Sequence, residues 1–245
     1  DTGCGMDADT AAYISCGTWG LVGVELDSPN LTRAGWKANF TNEVGADGRI
    51  RYLHNVMGLW LLSETIREYR RAGYRADLGE LLAQAAEAEP AFDVFDTDDP
   101  RFLPPGDMPG RIRDWYLERG LPAPMTRPEM IRAIVESLAA AFAGSVRQAA
   151  ELTGKSVETV HLVGGGCQNR LLCQLTADRL GLPVLAGPVE ATALGNVLIT
   201  ARAHNLLDGD LEAMRTIVAK HFPPQLYAPR TRARRRTVVG AGKAC

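Results

Sequence analysis

Apolar positions along the chain follow two rhythms. Near the start, residues 11–15 and 21–26 are short β-like runs parted by Cys16-Gly17-Thr18-Trp19-Gly20, which reads as a hairpin. Residues 50–54 alternate as a strand does, with Ile50, Tyr52 and His54 on one side, after a turn at Gly45-Ala46-Asp47-Gly48. A helical rhythm follows over 57–69, carried by Leu59, Trp60, Leu62, Ile66 and Tyr69, and Gly73 is its stop. The longest helix starts at a capping box, Thr126 with Glu129, has Pro128 in its first turn and ends at Gly154. One face of it is apolar from Met130 to Leu152, which predicts a helix lying across a sheet. Then come a buried-type strand around His161, three glycines, a helix with Leu171, Leu172, Leu175 and Leu180 closed by Gly181, a strand over 183–186 and a helix over 190–206.

Between the helices, residues 74–125 change character. A short alanine-rich helix over 78–87 gives way to acidic, proline-bearing sequence with Asp93, Asp96, Asp98 and Asp99, and a further short helix is expected over 107–119. The acidic run lacks the central glycine and closing glutamate of a calcium loop, so it is expected to be a solvated excursion. Gly195, inside the last predicted helix, costs around 1 kcal/mol against alanine and therefore points to close packing or a nearby ligand. The element order is an α/β one, a mixed sheet flanked by helices, and it matches one half of an actin-like ATPase (ribonuclease H-like) fold.

Composition narrows the function classes. A chain of 245 residues with 46% hydrophobic content is long enough for a real core, and its formal charge of -2 offers nucleic acid no basic face. No apolar run is long enough to span a bilayer. Five cysteines at positions 4, 16, 167, 173 and 245 contain no C-x-x-C pair, so neither a zinc site nor a disulfide framework is expected and the thiols should pack as small hydrophobes in a reducing cytoplasm. The chain begins at Asp1 without a methionine, so its natural N-terminus is expected to be missing. The arginine-rich segment 229–245 reads as a frayed, solvated tail.

Two glycine turns carry the candidate chemistry. Gly164, Gly165 and Gly166 stand at the end of a predicted strand, where a parallel sheet presents ligands and a missing Cβ lets backbone come close to one. The alternative is a tight turn with nothing bound. A dinucleotide fingerprint is disfavoured, because Cys167, Gln168 and Asn169 follow instead of G-x-G-x-x-G. The hairpin tip at Gly17 and Thr18 could hold phosphate oxygens through backbone N–H groups and the threonine hydroxyl, or be turn chemistry alone.

The segments AAYISCGTWGLVGVE (11–25), ANFTNE (38–43), RYLHNVMGLWLL (51–62) and HLVGGGCQNRLLCQLTADRLGLPVLAGPVEATALGN (161–196) resemble the C-terminal domain of the FGGY carbohydrate kinases. Order and spacing agree from about residue 11 to about residue 227, and the last segment is similar to rhamnulokinase-type members in particular. The resemblance implies a C-terminal kinase domain over 1–228, with the N-terminal kinase lobe absent from this chain. It implies ATP and Mg2+ as cofactors, a ketose substrate (L-rhamnulose), that lobe as partner and a cytoplasmic location, with no nucleic acid and no membrane. Gly17 and Thr18 match the second phosphate hairpin. Gly164, Gly165 and Gly166, with Gln168 and Asn169, match the adenosine turn, and Asn55 matches a ketose contact. Asp1 matches the catalytic base of a motif at the lobe boundary, and no metal-ligating residue is assigned. Phosphoryl transfer in such an enzyme is in-line, with an aspartate taking the hydroxyl proton and lobe closure excluding water. The chain departs from the family at Gly20, where serine is usual, at Val44 for glycine, at His54 for lysine or arginine, and at Ser63 for a glutamine that reaches ATP. The 245-residue chain alone is expected to be inactive. The rival readings are a truncated or degenerate nucleotide-binding domain without catalysis, a kinase for a related ketose, and a dinucleotide-binding domain of an oxidoreductase.

Overall fold

A computed structural model describes residues 9–88 and 93–230. Its centre is a seven-stranded mixed sheet in the order β3-β4-β2-β1-β5-β6-β7. The strands are β1 (Ala11–Cys16), β2 (Trp19–Leu26), β3 (Phe40–Val44), β4 (Ile50–Met57), β5 (Thr159–Val163), β6 (Val184–Ala186) and β7 (Gln225–Tyr227). β1 pairs antiparallel with β2 as the predicted hairpin and parallel with β5 on its other side. The helices are α1 (Arg33–Lys37), α2 (Trp60–Arg71), α3 (Leu78–Glu87), α4 (Met108–Leu117), α5 (Arg127–Thr153), α6 (Arg170–Leu180), α7 (Ala191–Ala203) and α8 (Leu211–His221).

Burial alternates along β1, as a half-covered strand requires: Ala12, Ile14 and Cys16 are inaccessible, whereas Tyr13 and Ser15 on the other face are not. α5 lies across the first face, against β2, β4 and β1, with α6 and α3 beside it. Its capping box is present, and Gly154 closes it in the left-handed conformation. α7 and α8 lie over the second face and pack loosely: α7 has no buried residue and α8 only Met214. No helix among the described residues is long and apolar enough to cross a membrane.

Several expectations are corrected. The acidic run is only partly the solvated excursion expected: Asp93, Asp96 and Asp98 are exposed, whereas Phe95 and Phe102 between and after them are buried and join the main core with Met108, Ile112 and Tyr116. Two of the acidic neighbours act as caps, Asp99 accepting from Arg101 N–H and Asp107 from Gly110 N–H, so charge there also marks element starts. The helix expected from 57 begins at Trp60, because Met57 still pairs with Trp19 in the sheet. Residues 40–44, for which no element was expected, form the edge strand β3, polar because most of it faces solvent. α1, α8 and β7 were not foreseen; α8 mixes Leu211, Met214 and Val218 with as many charges, since it barely packs. Gly195 does not mark close packing: a Cβ there would meet nothing within 4 Å. Cys16, Cys167 and Cys173 are free and buried. Cys4, Cys245, Asp1 and most of the basic tail lie outside the described residues.

Candidate functional site

One edge of the sheet gathers the glycine turns. β1 and β5 run parallel and both end there, and antiparallel pairing brings the start of β2 and the end of β4 to the same edge through Cys16–Gly20 and Trp19–Met57 neighbours. Three turns meet around the end of β1: the hairpin tip Gly17-Thr18, the β4–α2 junction at Gly58, and the turn after β5. Helix α2 fixes the hairpin, because Leu59 N–H donates to the Gly17 carbonyl at 2.8 Å and Trp60 N–H to the Thr18 carbonyl at 3.2 Å. The hairpin's carbonyls are thus held from behind, while the amide and hydroxyl of exposed Thr18 have no partner among the described residues. A Cβ on Gly58 would come within 2.6 Å of the Gly17 carbonyl oxygen, so this approach needs glycine. Sequence reasoning missed Gly58; its signal was a lone glycine between a strand end and a helix start.

The three glycines after β5 do different jobs. Gly164 has φ of +83°, and a Cβ there would meet the Cys16 carbonyl oxygen at 2.8 Å. One on Gly166 would meet Cys16 Sγ at 2.3 Å. Both are therefore packing requirements that seat the turn on β1. Gly165, between them, is exposed, and a Cβ there would meet nothing within 4 Å. It is the member of the triplet that leaves open space.

Beyond the turn, residues Gly165–Gln168 form one 3-10 turn and Asn169 caps α6, its side-chain oxygen accepting from Leu172 N–H at 3.0 Å. The Asn169 amide nitrogen is buried without a partner, and the residue is 6% exposed. Gln168 and Asn169 line a cavity of about 730 Å³ between α3 and α6, with Gly79, Ala83, Arg132 and Tyr227 on other walls. A small-residue wall on α3 facing a helix N-terminus suits a flat ligand. The neighbouring thiols add no nucleophile: burial pushes Cys16 and Cys173 up to about 12.

The predicted residues are only partly gathered. Gly17, Thr18, Gly164, Gly165 and Gly166 share the sheet edge; Gln168 and Asn169 stand one turn further on, and the cavity they line does not reach the hairpin. Asn55 is exposed on β4, two residues before the strand ends, paired with Leu21. His54 points to the other side of the strand, its ring 5.3 Å from that of Phe40 and its Nδ1 3.1 Å from the Asn39 carbonyl. Asp98 belongs to this edge too and was missed within the acidic run. Its carboxylate accepts from Met57 N–H at 2.8 Å, and burial raises its pKa. Among the described residues no group of three His, Cys, Asp or Glu could hold a metal ion.

Comparisons with known proteins bear on the family and the fold. The profile of the FGGY family of carbohydrate kinases, C-terminal domain, matches residues 12–204. A rhamnulokinase of Bacteroides thetaiotaomicron is 39% identical over 238 residues, covering 95% of this chain and 48% of its own length. One from Enterococcus faecalis is 42% identical over 222 residues, covering 89% and 44%. The chain therefore spans about half the length of the curated relatives it matches. Among solved structures, a xylulose kinase from Rhodospirillum rubrum superposes with a TM-score of 0.62 at 19% identity, over 91% of this chain and 43% of that one. A Plasmodium falciparum glycerol kinase with ADP gives 0.61 at 14% identity, over 89% and 43%. The fold shared with them is of the actin-like ATPase type.

Proposed function

Because this chain belongs to the FGGY family of carbohydrate kinases and carries their C-terminal domain, we propose that it is the adenine-nucleotide-binding half of a rhamnulokinase. Such an enzyme passes the γ-phosphate of ATP to the 1-hydroxyl of L-rhamnulose. The observation that carries this reading is the open space at Gly165 between two glycines that are packed shut. Three further features fit a nucleotide: the unpartnered Asn169 amide, the cavity beside it, and the free amide and hydroxyl of Thr18.

In this reading Gly165 admits the adenosine, the Asn169 amide nitrogen donates to it, and Thr18 holds the outer phosphates. Asn55 faces the ketose, whereas His54 is occupied by Phe40 and the Asn39 carbonyl. ATP supplies the transferable phosphoryl group. The chain offers no cage for magnesium among its described residues, and Mg2+ is commonly held by nucleotide phosphates with only one or two carboxylates. What the protein contributes to such chemistry is positioning and charge stabilisation. The complementary lobe is proposed to bring the other phosphate loop and most of the sugar pocket.

The test is Gly165→Val measured by calorimetry with ADP. The side chain would enter open space, so the variant should fold as the parent does while nucleotide binding is lost. Undiminished ADP affinity in the folded variant would sink the assignment.

A further inference from the structure

A second cavity, of about 440 Å³, lies on the opposite face of the sheet, and the nucleotide reading makes no use of it. Tyr13 and His161, direct neighbours in the β1–β5 ladder, form its floor with Ser15 and Val163. Leu198 from α7 and Met214 and Val218 from α8 form its roof. Gly195 borders it as well; since no atom would touch a Cβ there, the glycine widens the space rather than permitting close packing. The roof is held by polar ties more than by burial. Arg202 donates to both oxygens of Asp47 at 2.6 and 2.9 Å, Leu211 N–H donates to Asp47, and Arg215 pairs with Glu25 at 2.5 Å.

The floor decides the ligand's chemistry. His161 is 8% exposed, and its ring has no hydrogen-bond partner among the described residues. The Tyr13 hydroxyl is buried, with the Arg51 guanidinium as its polar neighbour. Buried polar groups are normally satisfied, so the His161 ring at the floor of the cavity calls for a partner. Burial and Arg215 bring the His161 pKa down to about 4, which leaves the ring neutral at pH 7. The rim charges are already paired, Arg215 with Glu25 and Glu212 and Arg51 with Glu43, so a charged ligand would be desolvated with no free counter-charge. The volume lies in the range of small-molecule sites.

We propose that the cavity between β1–β5 and α7–α8 binds an uncharged, mainly apolar small molecule, such as an aromatic alcohol, whose hydroxyl or carbonyl pairs with His161. This site stands apart from the nucleotide reading and does not depend on it.

The experiment is a fluorescence titration of the full chain with 2-naphthol, which is uncharged at neutral pH and emits from its protonated form where water is excluded. The parent should give a saturable shift to that emission. Leu198→Phe and Ala219→Leu, which fill the cavity from α7 and from α8, should each weaken binding tenfold or more without lowering the melting temperature. His161→Phe should weaken it about two- to tenfold, as loss of one neutral hydrogen bond does. A water-filled cavity only, seen as no saturable shift in the parent, would overturn the proposal. So would a shift that survives both filling substitutions, because the probe would then sit on exposed surface. If one filled variant fails to fold, the other decides. Unchanged affinity in His161→Phe would overturn the assigned hydrogen bond.

Discussion

Two positions on the sheet, Gly20 and His161, carry predictions. At Gly20, where the resemblance implies serine, a Cβ would lie 2.6 Å from the Phe142 ring on α5. The large ring and the missing side chain are two halves of one packing solution. Gly20→Ser should cost about 1–3 kcal/mol by overpacking, and Phe142→Leu in the same chain should recover part of it, a coupling that denaturant unfolding of the four-member cycle will measure. Additive losses would refute the pairing. His161 gives a pH signature. Its ordinary pKa of 6.5 falls to about 4 in the fold, through burial first and Arg215 second. A ring held neutral stabilises fully above about pH 6.5, and that contribution erodes as pH falls towards 4, because the unfolded chain then binds the extra proton. The span is worth up to about 3 kcal/mol. Stability of the parent should decline over that window, whereas His161→Phe should show a flatter profile in chemical denaturation. The glycine turns were legible in the sequence because conformational freedom belongs to the residue itself. The division of labour within 164–166 was not, since it depends on Cys16 from a strand some 150 residues earlier.

Elements were legible where their own ends are written in the chain. The capping box at Thr126 and Glu129, the closing glycines at 154 and 181 and the alanine-rich α3 all stood where their residues put them. Those missed owe their form to neighbours: β3 is an edge strand through pairing with β4, and Phe95 and Phe102 of the acidic run are core through contacts supplied by α5 and α4. Charge is one of those supports. Arg132 donates to Glu136 at 2.8 and 3.1 Å and to the Ala85 and Ala86 carbonyls, and Arg179 on α6 donates to the other Glu136 oxygen at 2.6 Å. The Glu136 carboxylate thus ties α5 to α6, and its partner Arg132 ties α5 to α3, beneath the larger cavity. Glu136→Ala would leave a buried guanidinium unpaired, which costs about 3–5 kcal/mol. Thermal unfolding should reveal a large drop in melting temperature; a change within experimental scatter would mean the helices are held by apolar packing alone.

At the scale of the whole molecule, the proposed function makes the sheet edge with the glycine turns one wall of a reaction site. Positioning both reactants in line can be worth about 7–11 kcal/mol of a barrier, and a wall that holds the nucleotide alone cannot supply it. The purified 245-residue chain should form no measurable L-rhamnulose 1-phosphate from ATP and ketose. Mixing with a separately produced N-terminal lobe of a related rhamnulokinase should restore turnover, and robust turnover without it would refute the proposal. The central ladder bears on how the chain comes to fold. Ala11 pairs with Thr159, so the β1–β5 contact closes a loop of roughly 150 residues. On a ribosome adding about 5–20 residues each second, β1 and β2 can zip into their hairpin soon after they emerge, yet the other side of β1 stays bare for about 7–30 s until β5 follows. Through that interval Ala12, Ile14 and Cys16 have no α5 to cover them. Nascent chains stalled short of residue 127 should therefore bind trigger-factor-type chaperones, and release should come only after α5 and β5 have cleared the exit tunnel.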